Sequence, residues 1–273
     1  MRGGSQAQFL RTSDGNFYVT KFTNNPQHTR VLANEMIASR LGKWLGLPVP
    51  EVAVIEVSDW LIQHTPELRI EVAGHSVPCQ SGKHLGSRYP VDPWEGVVFD
   101  YLPESYFSKV KNADDFPRMT VLDKWAGNAD GRQAIFSRSG RQRKFNAHFI
   151  DQGYCFNAGE WTFTDLPLHG VYYRNYVYAG VTGWESFEPV LTKAEEAEEL
   201  DLRRATECAP PEWYDYDYEG LEKLVQALYE RRPKIRDLIA AFRDSSRNPF
   251  PNWKQPSFCA MTSSPWICEQ QAV

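Results

Sequence analysis

Apolar and polar positions divide the chain into a strand-rich first part and a helical second part. Ala7–Thr12 and Phe17–Phe22 flank Ser13-Asp14-Gly15-Asn16, and Asp-Gly is a strong hairpin signal. Period two puts Phe17, Val19 and Lys21 on one face, and Tyr18, Thr20 and Phe22 on the other. Asn24-Asn25-Pro26 then breaks the chain. Ile37, Leu41, Trp44 and Leu45 recur at helical spacing, which predicts a helix from Thr29 to Leu45 ended by Gly46 and Pro48. Glu51–Ser58, rich in Val and Ile, reads as a largely buried strand. Residues 71–96, rich in Gly, Pro and Ser, read as loop, and Gly96–Leu102 as a short strand.

Beyond Pro103 the period becomes helical. Met119–Trp125 reads as the end of a helix stopped at Gly127-Asn128. Ala134–Ser137 and Phe145–Ile150 form a second expected hairpin, turned at Ser139-Gly140. Residues 185–204 and 218–243 are helical by pattern. Four prolines follow, at 249, 251, 256 and 265, in a tail or a strap packed through Trp253, Phe258 and Trp266. The expected plan is α+β and bilobal: a strand-rich lobe over 1–101, a mainly helical lobe over 102–245, and a tail over 246–273, with a ligand in the cleft between the lobes.

Composition narrows the class. At 273 residues, 42% apolar and 24% charged, the chain is an ordinary globule with room for one or two domains. No stretch of 18 apolar residues suggests a membrane span, and Met1-Arg-Gly-Gly-Ser-Gln lacks a secretory core, so a cytoplasmic protein is expected. Five scattered cysteines without CxxC fit a reducing compartment. A net charge of −5 argues against direct nucleic-acid contact. No HxxH, HExxH or GxSxG occurs, which leaves zinc hydrolases and α/β-hydrolases without support.

The candidate chemistry is spread along the chain. Gly3-Gly4-Ser5-Gln6 could let backbone N–H groups approach phosphate oxygens, although no Walker lysine follows. Lys21 could meet a phosphate or the carboxylate of Glu35, which lies on a helix face made small by Ala38, Ser39 and Gly42. Asn128, Asp130, Arg132 and Gln133 share a tight loop before the second hairpin, and Asp151 ends its return strand. The hairpin should bring Asp130 and Asp151 together, a hard oxygen site suited to Mg²⁺. Taken singly, each feature also has an ordinary reading: a loose chain end, a solvated lysine, an exposed helix glutamate, turn aspartates with capping roles. Arg138, Arg141, Arg143 and Lys144 form a basic hairpin tip that reads as a solvated turn.

Their order is the informative part: glycine loop, strand lysine, helix glutamate, linker strand, Asn/Asp loop, hairpin, Asp-x-Gly. This order resembles that of protein-kinase-like folds, and more narrowly the HipA-like kinases. Gly3-Gly-Ser-Gln-Ala-Gln8 is similar to that family's Ser-Gly-Ala-Gln-Pro-Lys loop, and Tyr18-Val-Thr-Lys21-Phe to its nucleotide-binding strand. Asn34-Glu35 through Arg40-Leu41 and Gly46-Leu-Pro-Val-Pro-Glu51 are similar to its helix segment. Gly127-Asn-Ala-Asp130 resembles its catalytic loop, and Ile150-Asp151 stands at its metal aspartate.

The resemblance implies ATP and Mg²⁺, and transfer of the γ-phosphoryl to a Ser/Thr hydroxyl of a protein. It implies Asp130 as base with Gln133 beside it, and Gly3, Gly4, Ser5, Gln6, Lys21 and Glu35 around the phosphates. Val98, Asp100 and Tyr101 would form the hinge at the adenine, and Asp151, with Asn128 or Gln133, would hold the metal. The sequence departs from the family at Gly131-Arg132, which replaces Arg-His, at Gln152, and at Ile135, where a second metal-binding asparagine is usual. These departures leave three alternatives: a nucleotide-binding pseudokinase or interaction module, a kinase fold that transfers AMP, or one that acts on a small molecule.

Overall fold

A computed structural model describes residues 4–254. The first hairpin forms as expected: β1 (Gln8–Arg11) pairs antiparallel with β2 (Phe17–Lys21). Its turn is held by Asp14, which accepts the Asn16 N–H at 2.9 Å, with Gly15 at φ 81°, a region glycine enters at low cost. α1 (Arg30–Leu45) follows, and Gly46 ends it at φ 86°. The Leu47 N–H returns to the Gly42 carbonyl at 2.8 Å, a left-handed C-terminal cap. α1 is buried on most of its circumference, Asn34, Glu35 and Ser39 included, which is why only part of its buried surface shows as an apolar stripe in sequence.

β3 (Val52–Val57) leads through the short α2 (Asp59–His64) into a region expected to be loop. Instead, residues 69–88 carry three strands: the hairpin β4 (Arg69–Val72) and β5 (His75–Pro78), then β6 (Gly82–Arg88). β6 is interior to the sheet β1-β2-β6-β3, antiparallel to β2 on one side and β3 on the other. Its Gly-Lys-His-Leu-Gly-Ser-Arg sequence looks like loop because two glycines interrupt it. Gly86 is required there, since a Cβ would lie 2.4 Å from the Ile55 side chain.

β7 (Gly96–Phe99) joins the second half by pairing with β8 (Gln133–Ser139), which pairs in turn with β9 (Asn146–Ile150). The short α3 (Glu104–Phe107) and α4 (Asp115–Trp125) lie between β7 and β8. After β9 come α5 (Val190–Glu195), α6 (Glu199–Thr206), α7 (Tyr218–Arg231) and α8 (Ile235–Arg243). The main core joins α1 to α4 and the later helices around Met36, Leu41, Phe116, Trp125 and Trp213. A smaller cluster under the first sheet holds Tyr18, Phe22, Ile55, Val57 and Ile70. Trp253 packs on Trp184 and Phe187. Phe258 and Trp266, expected in the same strap, lie outside the described residues, as does Gly3. Among the described residues no helix is long and apolar enough to cross a membrane.

Candidate active site

The cleft of about 430 Å³ lies where the first sheet, the β7 linker and the β8–β9 hairpin meet. That volume is within the range of small-molecule sites. Ala7, Val19, Val98, Ile135 and Ile150 give it apolar walls, while Lys21, Glu35, Gln133 and Asp151 gather at its polar end. Ser5 and Asp100 also line it, whereas Gly4 and Tyr101 do not. The alternation read in β2 explains the division: Val19 and Lys21 face the cleft, and Tyr18 and Phe22 face the small cluster. Gln6 is engaged elsewhere. Its amide donates to the Glu71 carbonyl at 2.7 Å and accepts the Glu71 N–H at 2.6 Å, tying the glycine loop to β4.

Lys21 bridges two carboxylates. Its Nζ pairs with Glu35 Oε2 and donates to Asp151 Oδ1 at 2.9 Å. Ser87 Oγ adds a bond to Glu35 Oε1 at 3.4 Å. Burial disfavours the Lys21 ammonium, but Glu35 and Asp151 more than offset it and hold the amine above the usual lysine value. Burial pushes the Glu35 carboxyl upward against the pull of Lys21. For Asp151, burial is outweighed by Lys21, Arg132 and the Gln133 amide, and the carboxyl stays below its usual value.

Asp151 closes β9 at φ 63°, a left-handed conformation that is costly for a non-glycine residue and needs support. Arg132 supplies part of that support. Its Nη1 donates to the Ile150 carbonyl at 2.6 Å and, more weakly, to that of Asp151 at 3.5 Å. The same guanidinium binds Asp123 through Nε at 3.0 Å and Nη2 at 2.5 Å. Asn128 donates to Asp123 Oδ1 at 2.9 Å and accepts the Asp130 N–H at 3.1 Å. Asp123 thus anchors the Asp130 loop through Asn128 and the Asp151 backbone through Arg132. Sequence reading passed over Asp123. Its signal was a charge inside the apolar run Val121-Leu122-Asp123-Lys124-Trp125.

Two expectations are corrected. Asn128 is not a cleft residue: it is buried, and both ends of its amide are bonded within the loop. Asp130 and Asp151 are not in contact. Asp130 is exposed, with Oδ1 accepting the Gly131 N–H at 2.7 Å, while Asp151 turns toward Lys21 and Gln133. The separation arises because β8 begins at Gln133, two residues after the loop, and puts the Gln133 Nε2, not a second carboxylate, 3.1 Å from Asp151 Oδ2. Among the described residues no cluster of three His, Cys, Asp or Glu side chains is formed that could hold a metal ion. The oxygens of Asp151 and Gln133 are nevertheless hard donors that fit Mg²⁺, which commonly takes one or two carboxylates and completes its shell with phosphate and water. Ile135, on the next inward position of β8, lines the cleft with an apolar side chain.

This arrangement, a strand lysine paired with a helix glutamate over an aspartate at the end of a hairpin, sits in a protein-kinase-like fold. Three solved structures share it: the golgi casein kinase, at 15% identity over 91% of this chain and 73% of that one, TM-score 0.51; the Helicobacter pylori proinflammatory kinase CtkA, at 12% over 86% and 93%, TM-score 0.51; and HipA of the Shewanella oneidensis MR-1 toxin–antitoxin system, in complex with HipB and operator DNA, at 13% over 90% and 67%, TM-score 0.51. Residues 1–89, from the glycine loop through β6, match the family model of the HipA-like kinases, the family the motifs resemble. No curated protein sequence matches the chain.

Proposed function

We propose that the protein is a Mg-ATP-dependent phosphotransferase of HipA-like type that moves the γ-phosphoryl to a Ser/Thr hydroxyl of a protein. The observation that carries this reading is Lys21 bridging Glu35 and Asp151 at the polar end of the cleft. In phosphoryl transfer, positioning and charge neutralisation supply most of the catalysis. Lys21, oriented by Glu35, would hold nucleotide phosphates. Val98 and Asp100 would flank the base, with Val19, Ile135 and Ile150 as apolar walls, and Ser5 would lie at the phosphate end. Asp151 and Gln133 would hold Mg²⁺, which when bound neutralises phosphate charge. Asp130, exposed on its loop, would accept the proton of the acceptor hydroxyl through Oδ2. Two buried cysteines with free thiols, Cys79 and Cys155, support a cytoplasmic setting.

A second reading rests on Ile135. An apolar side chain stands where the family usually places a metal-binding amide, and this favours a nucleotide-binding pseudokinase. One experiment separates the two: melting with ATP, with and without Mg²⁺, alongside transfer of γ-labelled phosphate to a protein extract or to the chain itself. Ligand at about 100 times its Kd stabilises by about 2.7 kcal/mol. Metal-dependent stabilisation with transfer, both lost in Asp151→Asn, supports the kinase. Metal-independent stabilisation without transfer selects the pseudokinase, and no stabilisation by any nucleotide rejects both.

A further inference from the structure

The rim between the hinge and the Asp130 loop carries an arginine with an unusual setting. The Gly170 N–H donates to the Asp130 carbonyl at 2.9 Å, the Arg132 N–H donates to the Val171 carbonyl at 3.1 Å, and Arg132 and Tyr172 form a parallel bridge. Residues 170–172 therefore run beside 130–132. Two residues further on, Arg174 is exposed, with its guanidinium 4.7 Å from the Tyr173 ring centroid and 5.9 Å from that of Tyr101. Tyr101 follows the cleft residue Asp100, so the guanidinium spans from the acceptor side of the cleft mouth to its hinge side.

Elsewhere the arginines of this protein hold carboxylates: Arg88 with Glu51, Arg132 with Asp123, Arg231 with Asp165, Arg236 with Glu195. Among the described residues none pairs with Arg174. Two aromatic faces hold a planar, weakly hydrated cation while leaving its in-plane N–H fork to water. A fork restrained in this way loses less freedom when it binds a carboxylate or phosphate through two parallel bonds.

We propose that Arg174, held by Tyr101 and Tyr173, recognises an acidic or phosphorylated residue near the accepting hydroxyl of a peptide substrate. The inference rests on reading the cleft as a phosphoryl-transfer site. Four residues separate Gly170, bonded to the Asp130 loop, from Arg174. At 3.3–3.6 Å per extended residue this is a reach of at most about 14 Å. An extended substrate would therefore place its acid within about four positions of the hydroxyl.

The test uses fluorescein-labelled nine-residue peptides with a central serine and flanks of Glu, Gln or Lys, followed by a single Glu moved from position −4 to +4. Binding to the full chain is read by anisotropy, and transfer is read with γ-labelled ATP. The wild type should prefer the Glu peptide to the Gln peptide at least about tenfold, the scale of one charge-assisted hydrogen-bonded contact. Arg174→Glu should abolish or reverse that preference and leave the ATP-induced melting shift intact. Arg141→Glu, on the distant basic hairpin tip, should change neither. The inference is overturned if the wild type shows no Glu preference, or if Arg174→Glu keeps it. It is also overturned if Arg174→Glu loses the ATP shift, which would assign the guanidinium to nucleotide phosphate. Glu-dependent binding without any transfer would reject the phosphotransferase reading and retain Arg174 as an acid-recognition residue.

Discussion

The Asp123–Arg132 pair gives the most quantitative test of how the site is held. Both side chains are buried, at 1% and 3% exposure, so each is the other's charge compensation. Asp123→Asn leaves a buried guanidinium without its anion, and Arg132→Met leaves a buried carboxylate without its cation. Either should cost about 3–5 kcal/mol. For a chain of this size that is a fall in Tm of about 6–20 °C, at roughly 2–4 °C per kcal/mol. In Asp123→Asn/Arg132→Met neither charge remains. The residual cost is mainly the Ile150 carbonyl stripped of its 2.6 Å donor, about 1–3 kcal/mol. The double variant should therefore be more stable than either single, with a coupling on the order of 3 kcal/mol or more. Urea unfolding followed by tryptophan fluorescence reads all three variants. Costs that add to within about 0.5 kcal/mol would show the pair is not the mutual compensation argued above. The same double variant should still lose metal-dependent nucleotide binding, since Arg132 no longer holds the backbone around Asp151.

Three further outcomes follow from the site. Asp130→Ala should lower phosphoryl transfer by about 10²–10⁴ while the ATP-induced melting shift survives, because proton-transfer groups contribute on that scale; unchanged turnover would remove Asp130 from the chemistry. His84 is buried and neutral, with Nδ1 accepting the Thr23 N–H at 3.2 Å, Nε2 donating to the Gln80 carbonyl at 2.9 Å, and burial holding it down to about 4. The unfolded chain binds that proton near pH 6.5, so stability should fall as pH drops from about 6.5 to about 4 by on the order of 1 kcal/mol per unit, and His84→Phe should flatten that slope in urea titrations. Arg231 grips Asp165 at 2.5 and 2.9 Å, and the Lys124 ammonium caps the Pro167 and His169 carbonyls at 2.8 and 2.6 Å. Asp165→Asn should speed hydrogen exchange over 163–170 and slow transfer without weakening ATP binding; unchanged exchange would rule out the clamp.

Much of the site was legible because its residues sit at turns and strand ends with strong local signals. Asp14-Gly15 marked the first hairpin, alternation put Lys21 on the cleft face, and Gly46 marked the end of the helix that carries Glu35. What escaped was non-local. β6 is a strand because β2 and β3 supply partners on both sides, and its glycines, which suppress the strand signal, are there for close packing. Asn128 looked like a metal ligand because its neighbours in sequence are polar, yet the fold turns its amide inward to Asp123. The expected meeting of Asp130 and Asp151 failed by two residues of register, since β8 starts at Gln133 and places an amide where a carboxylate was anticipated.

The anchorage of α1 has a mechanical consequence. Leu32, Met36, Ile37 and Leu41 root that helix in the large core shared with α4 and the later helices, while Lys21 rides on a sheet with a much smaller hydrophobic footing. The acid belongs to the chassis and the amine to the lighter part. Any rocking of the sheet to admit or release a ligand would shear the Lys21–Glu35 contact directly, so the cleft's opening and the integrity of its charge pair are one degree of freedom, not two.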